Sequence, residues 1–446
     1  AGVQKNLRMI DVARMPVAKP EEVVMKAFTV FMAQPDTAEA QVRAFISTRA
    51  FNKQGRAQAL DVLKIVSSRS KLQGIPPVVM ADSLMASAIW NVDGSAAVGF
   101  RVTMRSDFAS ESTQAFVTRE PDGYRIRAIG GAPSELGCEA LYLAKKGEKK
   151  PAAQWLDWAR GLLSSSGGDD PLRVDPFSRL WVDGKGDVEL AAAALCAQGS
   201  GAELGVPLLE AARARATGDQ KSILEHALAL AYFNLARPKD VLAVATGLEK
   251  ALPRSTTLRA MTIGAMMQLE QYDAVRARLT QLLAREPEDV TLLSVLADVE
   301  VELGHVSEAR RIDEKLIATG KAGPGVYNNA AWRSLQGGGP VTEKDLGYAL
   351  KAAQAQPDND KVLNTLAALN AELGRVEDAR ETLMKAIALH TDGDPSGADW
   401  YVIGRIAEQL SLPDEARAAY ARVASTGKAQ GGSVYQLAQR RLKGIK

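Results

Sequence analysis

Apolar positions in the second half of the chain recur with the period of an α-helix, and the helical segments come in pairs joined by short turns. The turns are centred on Ala236, Glu270, Gly304, Gly338, Gly374 and Ser411. Their spacing is 34 residues three times, then 36 and 37 residues. A steady period of this length indicates a solenoid, in which stacked helix pairs bury the apolar faces that a single pair leaves open. We therefore predict six helix pairs over about residues 222–428.

Two repeats show the pattern most clearly. Residues 362–389 read VLNTLAALNAELGRVEDARETLMKAIAL, and residues 399–423 read DWYVIGRIAEQLSLPDEARAAYARV. The second carries the small and aromatic residues of a well-known repeat signature, at Trp400, Gly404, Ala416 and Tyr420. The array thus resembles the tetratricopeptide repeat (TPR) family. This resemblance implies a superhelix whose concave groove, lined by the first helix of each pair, binds a peptide or a partner protein.

The resemblance also implies which side chains face the groove. Carried across position by position, they are His226, Ser294, Asp298, Asn328, Asn329, Trp332, Lys361, Asn364, Tyr401 and Arg405. Asparagine amides can hydrogen-bond to both edges of an extended peptide backbone, and the aromatic rings can hold peptide side chains. We take the peptide-binding set to be Asn328, Asn329, Trp332, Lys361, Asn364, Tyr401 and Arg405.

One version of the family clamps a C-terminal carboxylate with two lysines, two asparagines and an arginine. This sequence keeps Asn329 and Lys361, but it has Ser294, Asp298 and Thr365 at the other three positions. We therefore do not expect it to recognise a chaperone tail.

Further helices flank the six pairs. Residues 188–216 read as a degenerate seventh pair, and residues 434–446 read as an amphipathic capping helix. In the capping helix we expect Val434, Leu437 and Leu442 to pack inward. Its polar side chains are expected to face water, namely Gln439, Arg440, Arg441 and Lys443.

The first 150 residues begin with helical periodicity. One helix is predicted over residues 21–33, and a second after Asp36 and Thr37 with Val42, Phe45 and Ile46 inward. A third is predicted over residues 54–66.

The pattern then becomes two-fold, which is typical of strands. Val98, Phe100, Val102 and Met104 alternate with small or polar residues, and Asp93-Gly94 and Asp122-Gly123 are hairpin signals. About four strands and a helix over residues 134–145 are expected. Four arginines share one strand parity and predict a solvated basic face, at Arg101, Arg105, Arg125 and Arg127.

The predicted fold class is therefore mainly α, with a C-terminal α-solenoid of TPR-like helix pairs preceded by an α+β domain with an antiparallel meander. The α+β domain is expected over residues 1–150. Residues 151–186 form a junction helix and loop packed by Trp155 and Trp158. The superhelix spans 187–428, and the capping helix 429–446.

Composition and charge narrow the classes of partner. Lys and Arg number 55 against 53 Asp and Glu, so the global charge gives no reason to expect nucleic acid or an anionic membrane. Aromatic residues make up only 5% of the chain, which suits Ala/Leu-rich helical stacks. No window approaches the ~18 consecutive apolar residues of a membrane-spanning helix. We expect a protein or peptide partner.

No catalytic motif is present. The sequence has no G-x-S-x-G elbow, phosphate-binding loop, H-E-x-x-H or paired C-x-x-C, and its three histidines are far apart. Residues 392–397 match the opening of a calcium loop, but Ile403 stands where the bidentate glutamate is needed, so we interpret them as a loop that caps the next helix. The expectation is a scaffold without catalytic activity, cofactor or metal.

The two cysteines, Cys138 and Cys196, lie in apolar helical contexts and are expected to be buried free thiols. Ala1 in place of Met is consistent with a mature N-terminus after signal-peptide removal. Together with a cysteine count that does not oppose an oxidising compartment, this leans towards a bacterial extracytoplasmic location.

Two alternative functions stay open at this point. The N-terminal domain can bind a small molecule or perform chemistry with residues such as Asp82, Arg101 and Tyr124, provided that a deep pocket lies behind the sheet. A solid core of Val98, Phe100 and Met104 would exclude this. Alternatively, the chain is the C-terminal assembly platform of a longer multidomain enzyme.

Overall fold

The computed structural model describes residues 3–4, 16–33, 43–47, 79, 82–83, 86–105, 112–130, 133–163, 176–199, 201–251, 255–390, 394–425 and 433–445. The helix predicted over residues 54–66, most of the second predicted helix, and the start of the calcium-like motif lie outside these residues. The chain divides into two compact units, Ala1–Leu269 and Glu270–Lys446. This division falls inside the predicted superhelix, and the domain boundaries given above stay a prediction.

A five-stranded antiparallel sheet forms the first part of unit 1, with its strands in sequence order. The strands are β1 (Val3–Gln4), β2 (Ile89–Ser95), β3 (Gly99–Arg105), β4 (Thr113–Glu120) and β5 (Gly123–Ile129). The first predicted helix is present as α1 (Pro20–Ala33). Of the second, the described residues Arg43–Phe45 form a 3-10 turn, and Ile46 makes a β-bridge to Ile126.

The two hairpin signals have different outcomes. Asp122-Gly123 closes the β4–β5 hairpin as predicted, with Glu120 opposite Gly123. Asp93-Gly94 signals a hairpin that is present between β2 and β3, but the pair itself lies within β2 and the turn follows at residues 96–98. Gly94 has a φ of +119° and passes so close to the Gly99 carbonyl that a side chain there would collide with it. The glycine therefore serves strand pairing.

One face of the sheet packs against α1. Met25 and Phe28 of the helix are buried in the same cluster as Val102, Val117 and Ile126 of the strands. Met104 is buried in this cluster, and Phe100 packs against it. This face is therefore filled by apolar side chains where a pocket was considered.

The opposite face is covered by α2 (Pro133–Lys145) and α3 (Lys149–Leu162). Trp155 and Trp158 of α3 are buried as predicted, and the Trp155 indole donates a hydrogen bond to the Val98 carbonyl at 2.6 Å. The expected solvated basic face is corrected at Arg127, which is buried and pairs with Glu139 of α2 at 2.7 Å. The strand face of Arg127 was predicted correctly, but α2, which follows later in the chain, covers this face.

The rest of unit 1 is helical. Its helices are α4 (Pro176–Leu180), α5 (Val188–Cys196), α6 (Ala202–Arg213), α7 (Gly218–Asn234), α8 (Pro238–Ala251) and α9 (Thr256–Gln268). Helices α5 and α6 form the degenerate seventh pair. The prediction of free thiols was wrong, because Cys138 of α2 and Cys196 of α5 form a disulfide. The two cysteines are 58 residues apart, and helix packing that is invisible in a linear sequence brings them together.

Unit 2 consists of helices. They are α10 (Tyr272–Leu283), α11 (Val290–Glu302), α12 (Val306–Ala318), α13 (Pro324–Gln336), α14 (Glu343–Ala355), α15 (Asp360–Glu372), α16 (Val376–Ala388), α17 (Gly397–Gln409), α18 (Pro413–Ala421) and α19 (Val434–Gly444).

Within the units, five of the six predicted pairs are present, with α7 packed on α8, α11 on α12, α13 on α14, α15 on α16 and α17 on α18. The sixth predicted pair, α9 and α10, falls on the division between the units. All six predicted turn centres adopt a positive φ between 51° and 84°. Since a left-handed residue ends a helix and reverses the chain, these positions fix the repeat. The TPR-like array predicted from spacing is thereby confirmed.

Candidate functional site

The first helices of successive pairs lie side by side in unit 2, where α13 contacts α15 and α15 contacts α17. A cavity of about 210 Å³ opens across these three helices. It is lined by Asn328, Asn329, Trp332, Asp360, Lys361, Asn364, Thr365, His390, Ser396, Ala398 and Asp399. Five of the seven predicted peptide-binding residues are in this set. We call this cavity the groove pocket.

Four side chains of the groove pocket make no hydrogen bond or ion pair to any part of the chain that the structure describes. They are Asn328, Asn329, Trp332 and Lys361. The Asn328 carboxamide oxygen is also buried from solvent, and a buried acceptor without a partner costs free energy. These groups offer hydrogen-bond donors, acceptors, one positive charge and an aromatic surface to a ligand.

Asn364 forms the floor of the pocket. Only 6% of it is exposed, and its amide donates to Asp399 Oδ1 at 2.8 Å. Asp399 is buried, and its Oδ2 caps the N-terminus of α17. This oxygen accepts hydrogen bonds from the Ser396 backbone N–H at 2.8 Å and from the Ser396 hydroxyl at 2.6 Å. Ser396 is thus the N-cap expected from the loop interpretation. The floor is fixed in place before any ligand binds.

His390 and Asp360 belong to the pocket and were missed by sequence reasoning. His390 Nδ1 lies 2.8 Å from the Asp394 carbonyl oxygen, so this nitrogen donates to it. Its Nε2 lies 3.6 Å from Asp360 and 3.7 Å from Asp399. His390 follows α16, in the connection where the repeat is longer than its usual period, so the family pattern provides no position for it.

Trp332 was expected to hold a peptide side chain, and the structure places it partly in the core and partly in the pocket. It is partly buried against the core cluster that contains Ala331, Leu366 and Tyr401. It also lines the groove pocket. Its orientation is therefore set by the core while part of its surface stays open.

Tyr401 and Arg405 do not face an open groove, which corrects their expected placement. Tyr401 is 2% exposed and Arg405 5% exposed. Tyr401 donates to Glu372 at 3.1 Å, and Arg405 donates to the same carboxylate at 2.7 Å. Burial raises the pKa of Tyr401 well above its ordinary value. Arg441 of α19 reaches the same glutamate, so these residues lie beneath the last helix.

Other residues expected in the groove hold neighbouring helices together. Asp298 is half-exposed and bound at 2.6 Å by the buried Arg333 of α13, while Ser294 is half-buried. Arg333 also pairs with the buried Asp313 of α12. Burial raises the pKa of Asp313 to about 6, against the opposing effect of Arg333. This triad fixes the helix that carries the pocket asparagines.

In unit 1, His226 is buried with 1% exposure instead of facing a groove. The residues considered for chemistry in the α+β domain contact other partners. Arg101 pairs with Asp93 at 3.0 Å, and Tyr124 packs edge-on against Phe100 at 5.7 Å between ring centres. Asp82 is half-buried.

Two features of the described residues bear on metal binding and on membrane insertion. Within those ranges, no three His, Cys, Asp or Glu side chains are grouped so as to hold a metal ion. Among the described helices, none has the length and apolar character needed to cross a bilayer.

Successive helix pairs joined by left-handed turns, with the first helices in contact from α13 to α17, define a TPR-like helical-repeat protein. No family model matches the chain, and no curated protein matches it.

Similar solved structures include a tetratricopeptide repeat protein from Parabacteroides merdae, at 12% identity and a TM-score of 0.36, covering 70% of this chain and 100% of that one. PilW, a type IV pilus biogenesis factor, is similar at 17% identity and a TM-score of 0.38, covering 49% and 98%. A thermophilic TPR protein from Thermus thermophilus has 22% identity and a TM-score of 0.29, covering 41% and 94%. These values describe a likeness of fold, and the assignment here rests on the helix pairs themselves.

Proposed function

We propose that the protein is an interaction scaffold that binds an extended peptide segment of a partner protein in the groove pocket. The observation that carries the proposal is the set of open side chains at Asn328, Asn329, Trp332 and Lys361, which the described chain leaves without partners. The proposal assigns the pocket a binding role and no catalytic step.

The chemistry of these side chains suits a peptide backbone. An extended peptide presents alternating N–H donors and C=O acceptors, and each asparagine amide can satisfy one of each. The exposed edge of Trp332 provides apolar contact for a peptide side chain. The fixed floor formed by Asn364 lowers the entropy that binding would otherwise cost, because the site does not need to be ordered first.

The test uses peptides selected from a random library on the immobilised full chain. The double substitution Asn329→Ala with Trp332→Ala is expected to weaken the selected peptides at least tenfold, since a hydrogen-bonding amide and an aromatic contact each contribute roughly 1 kcal/mol or more. The dissociation constants are measured by calorimetry.

The matched control truncates two exposed side chains on second helices of their pairs, Gln354→Ala with Met384→Ala. This control should bind like the unsubstituted chain. If both double variants bind the selected peptides with equal affinity, the groove pocket is not the peptide-binding site.

The disulfide supports an extracytoplasmic site of action. Disulfides persist in oxidising compartments and are rare in reducing cytosol. The bond between Cys138 and Cys196 therefore favours the location towards which the sequence leaned.

A further inference from the structure

The last helix, α19, buries two apolar side chains fully against unit 2 and others only in part. Leu437 and Ala438 are its buried side chains, and Val434, Tyr435 and Leu442 are partly buried against the same cluster, which is formed by α13 to α18. The helix contacts α17 and α18. A cavity of about 400 Å³ lies beside it, lined by Glu408, Ser411, Leu412, Arg440, Arg441 and Ile445 among others. The interface is therefore incompletely packed.

Two arginines of α19 contact helices other than α17 and α18. Arg441 binds both carboxylate oxygens of Glu372, at 2.7 and 2.9 Å, at the end of α15. Arg440 donates to the Gln336 carbonyl at 3.2 Å, at the end of α13. The capping prediction placed both arginines in water. Arg440 is exposed as predicted and Arg441 is half-buried, and both also connect the helix to the C-terminal ends of two earlier first helices.

The surface beneath α19 needs a cation. Glu372 and Glu408 lie with Arg405 and Arg441 in one network, in which two negative charges meet two positive charges. Without Arg441, the two carboxylates share a single guanidinium and one negative charge is uncompensated. Glu372 is also the last residue of α15, where the helix dipole disfavours a negative charge. A ligand for this surface must therefore be basic.

Spacing along α19 defines the rest of the ligand. Leu437, Ala438 and Arg441 lie on one face, because residues three and four apart on a helix are neighbours. A leucine and a small residue enter the core, and an arginine three positions after the small residue reaches Glu372. This is the pattern of an amphipathic helix that lies in a groove.

We propose that this surface is a helix-docking site and that α19 is its detachable occupant, which a basic amphipathic helix with the Leu-Ala-x-x-Arg spacing displaces. The site is separate from the groove pocket, so it stands or falls independently of peptide binding there. Local opening of α19 precedes global unfolding because the cavity beside the helix leaves its interface incompletely packed.

Cysteine labelling of the full chain tests the opening. Both native cysteines are in the disulfide, so one introduced cysteine is a unique thiol. Ala438→Cys in α19 is matched by Ala368→Cys in α15, since both alanines are 0% exposed. Cys at 438 is expected to react with a thiol reagent at least tenfold faster than Cys at 368. In the unsubstituted chain, the backbone amides of α19 should likewise exchange hydrogen faster than those of α15.

Two further variants test the role of charge. Arg441→Gln should raise the labelling rate at 438 at least another tenfold, while Lys443→Gln, which changes an exposed lysine of the same helix, should not. Neither should change the rate at 368.

A synthetic peptide of residues 433–445 is the probe for the docking site. It should accelerate labelling at 438 in a saturable manner by occupying the vacated surface, and the same peptide with Arg441→Gln should do so less. The proposal is overturned if the thiols at 438 and 368 are labelled at the same rate and Arg441→Gln changes both rates equally. In that case α19 opens only on global unfolding. The proposal is also overturned if the peptide leaves the rate at 438 unchanged.

Discussion

Arg333 of α13 is shared by two aspartates from neighbouring helices. Asp313 is buried, Asp298 is half-exposed, and one guanidinium compensates both carboxylates. The free-energy cost of burying the Asp313 charge is larger than the stabilisation from a guanidinium that is shared with Asp298. The buried carboxyl group of Asp313 therefore holds its proton more tightly than usual. The same triad positions α13, and with it Asn328 and Asn329 in the groove pocket.

The raised pKa of Asp313 predicts a pH dependence of stability. Its pKa rises from 3.8 to about 6 in the folded chain, so the folded state binds this proton more tightly than the unfolded state. The contribution of Asp313 to stability is then greatest below about pH 4 and is lost as the pH rises through about 6.

Asp313→Asn removes this titration. The free energy of unfolding of the unsubstituted chain, minus that of the variant, should fall by roughly 1–3 kcal/mol between pH 4 and pH 6.5, at about 1.4 kcal/mol for each unit of pKa shift. Chemical denaturation at a series of pH values measures it. A difference that grows with pH would show that ion pairing with Arg333 outweighs burial.

Repeat geometry depends on turns and on small residues where helices cross. The turn centres could be predicted because each is a local reversal that recurs at a fixed spacing, and all six have a positive φ. Gly404 of α17 could likewise be recognised from the family pattern. Tyr401 and Arg405 could not, because their burial depends on α19, which the repeat period does not place.

Gly404 allows α17 to approach the Tyr420 ring of α18, and a methyl group there would overlap the ring. Tyr420 is fully buried and its hydroxyl donates to Glu408 at 2.7 Å, so the ring cannot move aside. Gly404→Ala should therefore destabilise the chain by roughly 1–3 kcal/mol.

Gly347 of α14 is the matched control, because no atom lies within 4 Å of the position that a methyl group would take. Gly347→Ala should stabilise the chain by about 1 kcal/mol through helix propensity. Urea unfolding followed by circular dichroism measures both. Effects of the same sign would refute the close-approach argument.

Contacts between residues that are far apart in the chain are the part of the fold that the sequence did not predict. The Cys138–Cys196 disulfide joins α2 to α5, and Arg127 of β5 is buried by Glu135 and Glu139 of α2. Neither follows from local periodicity, because each depends on how α2 packs. The groove residues of α13 and α15 were predictable, since they follow the repeat.

The disulfide predicts a redox-dependent stability. Closing a loop of 58 residues lowers the entropy of the unfolded chain by an amount worth about 4 kcal/mol in the chain-entropy model. Adding a reductant should lower the free energy of unfolding on this order. Hydrogen exchange should increase in α2 and α5.

The double variant Cys138→Ala with Cys196→Ala is the control. It should show the same loss without reductant and no further loss with it. Two titratable thiols in protein prepared without reductant would contradict the disulfide.

The proposed function requires that a bound peptide lies across α13 and α15 in the groove pocket. Photo-crosslinking addresses it most directly, with a selected peptide that carries a benzophenone and with the full chain as target. The account predicts that mass spectrometry finds the cross-links within residues 324–372, and that Asn329→Ala with Trp332→Ala abolishes them. Cross-links concentrated on the sheet or on α2 and α3 would contradict the claim and make the repeat array a support for a site in unit 1.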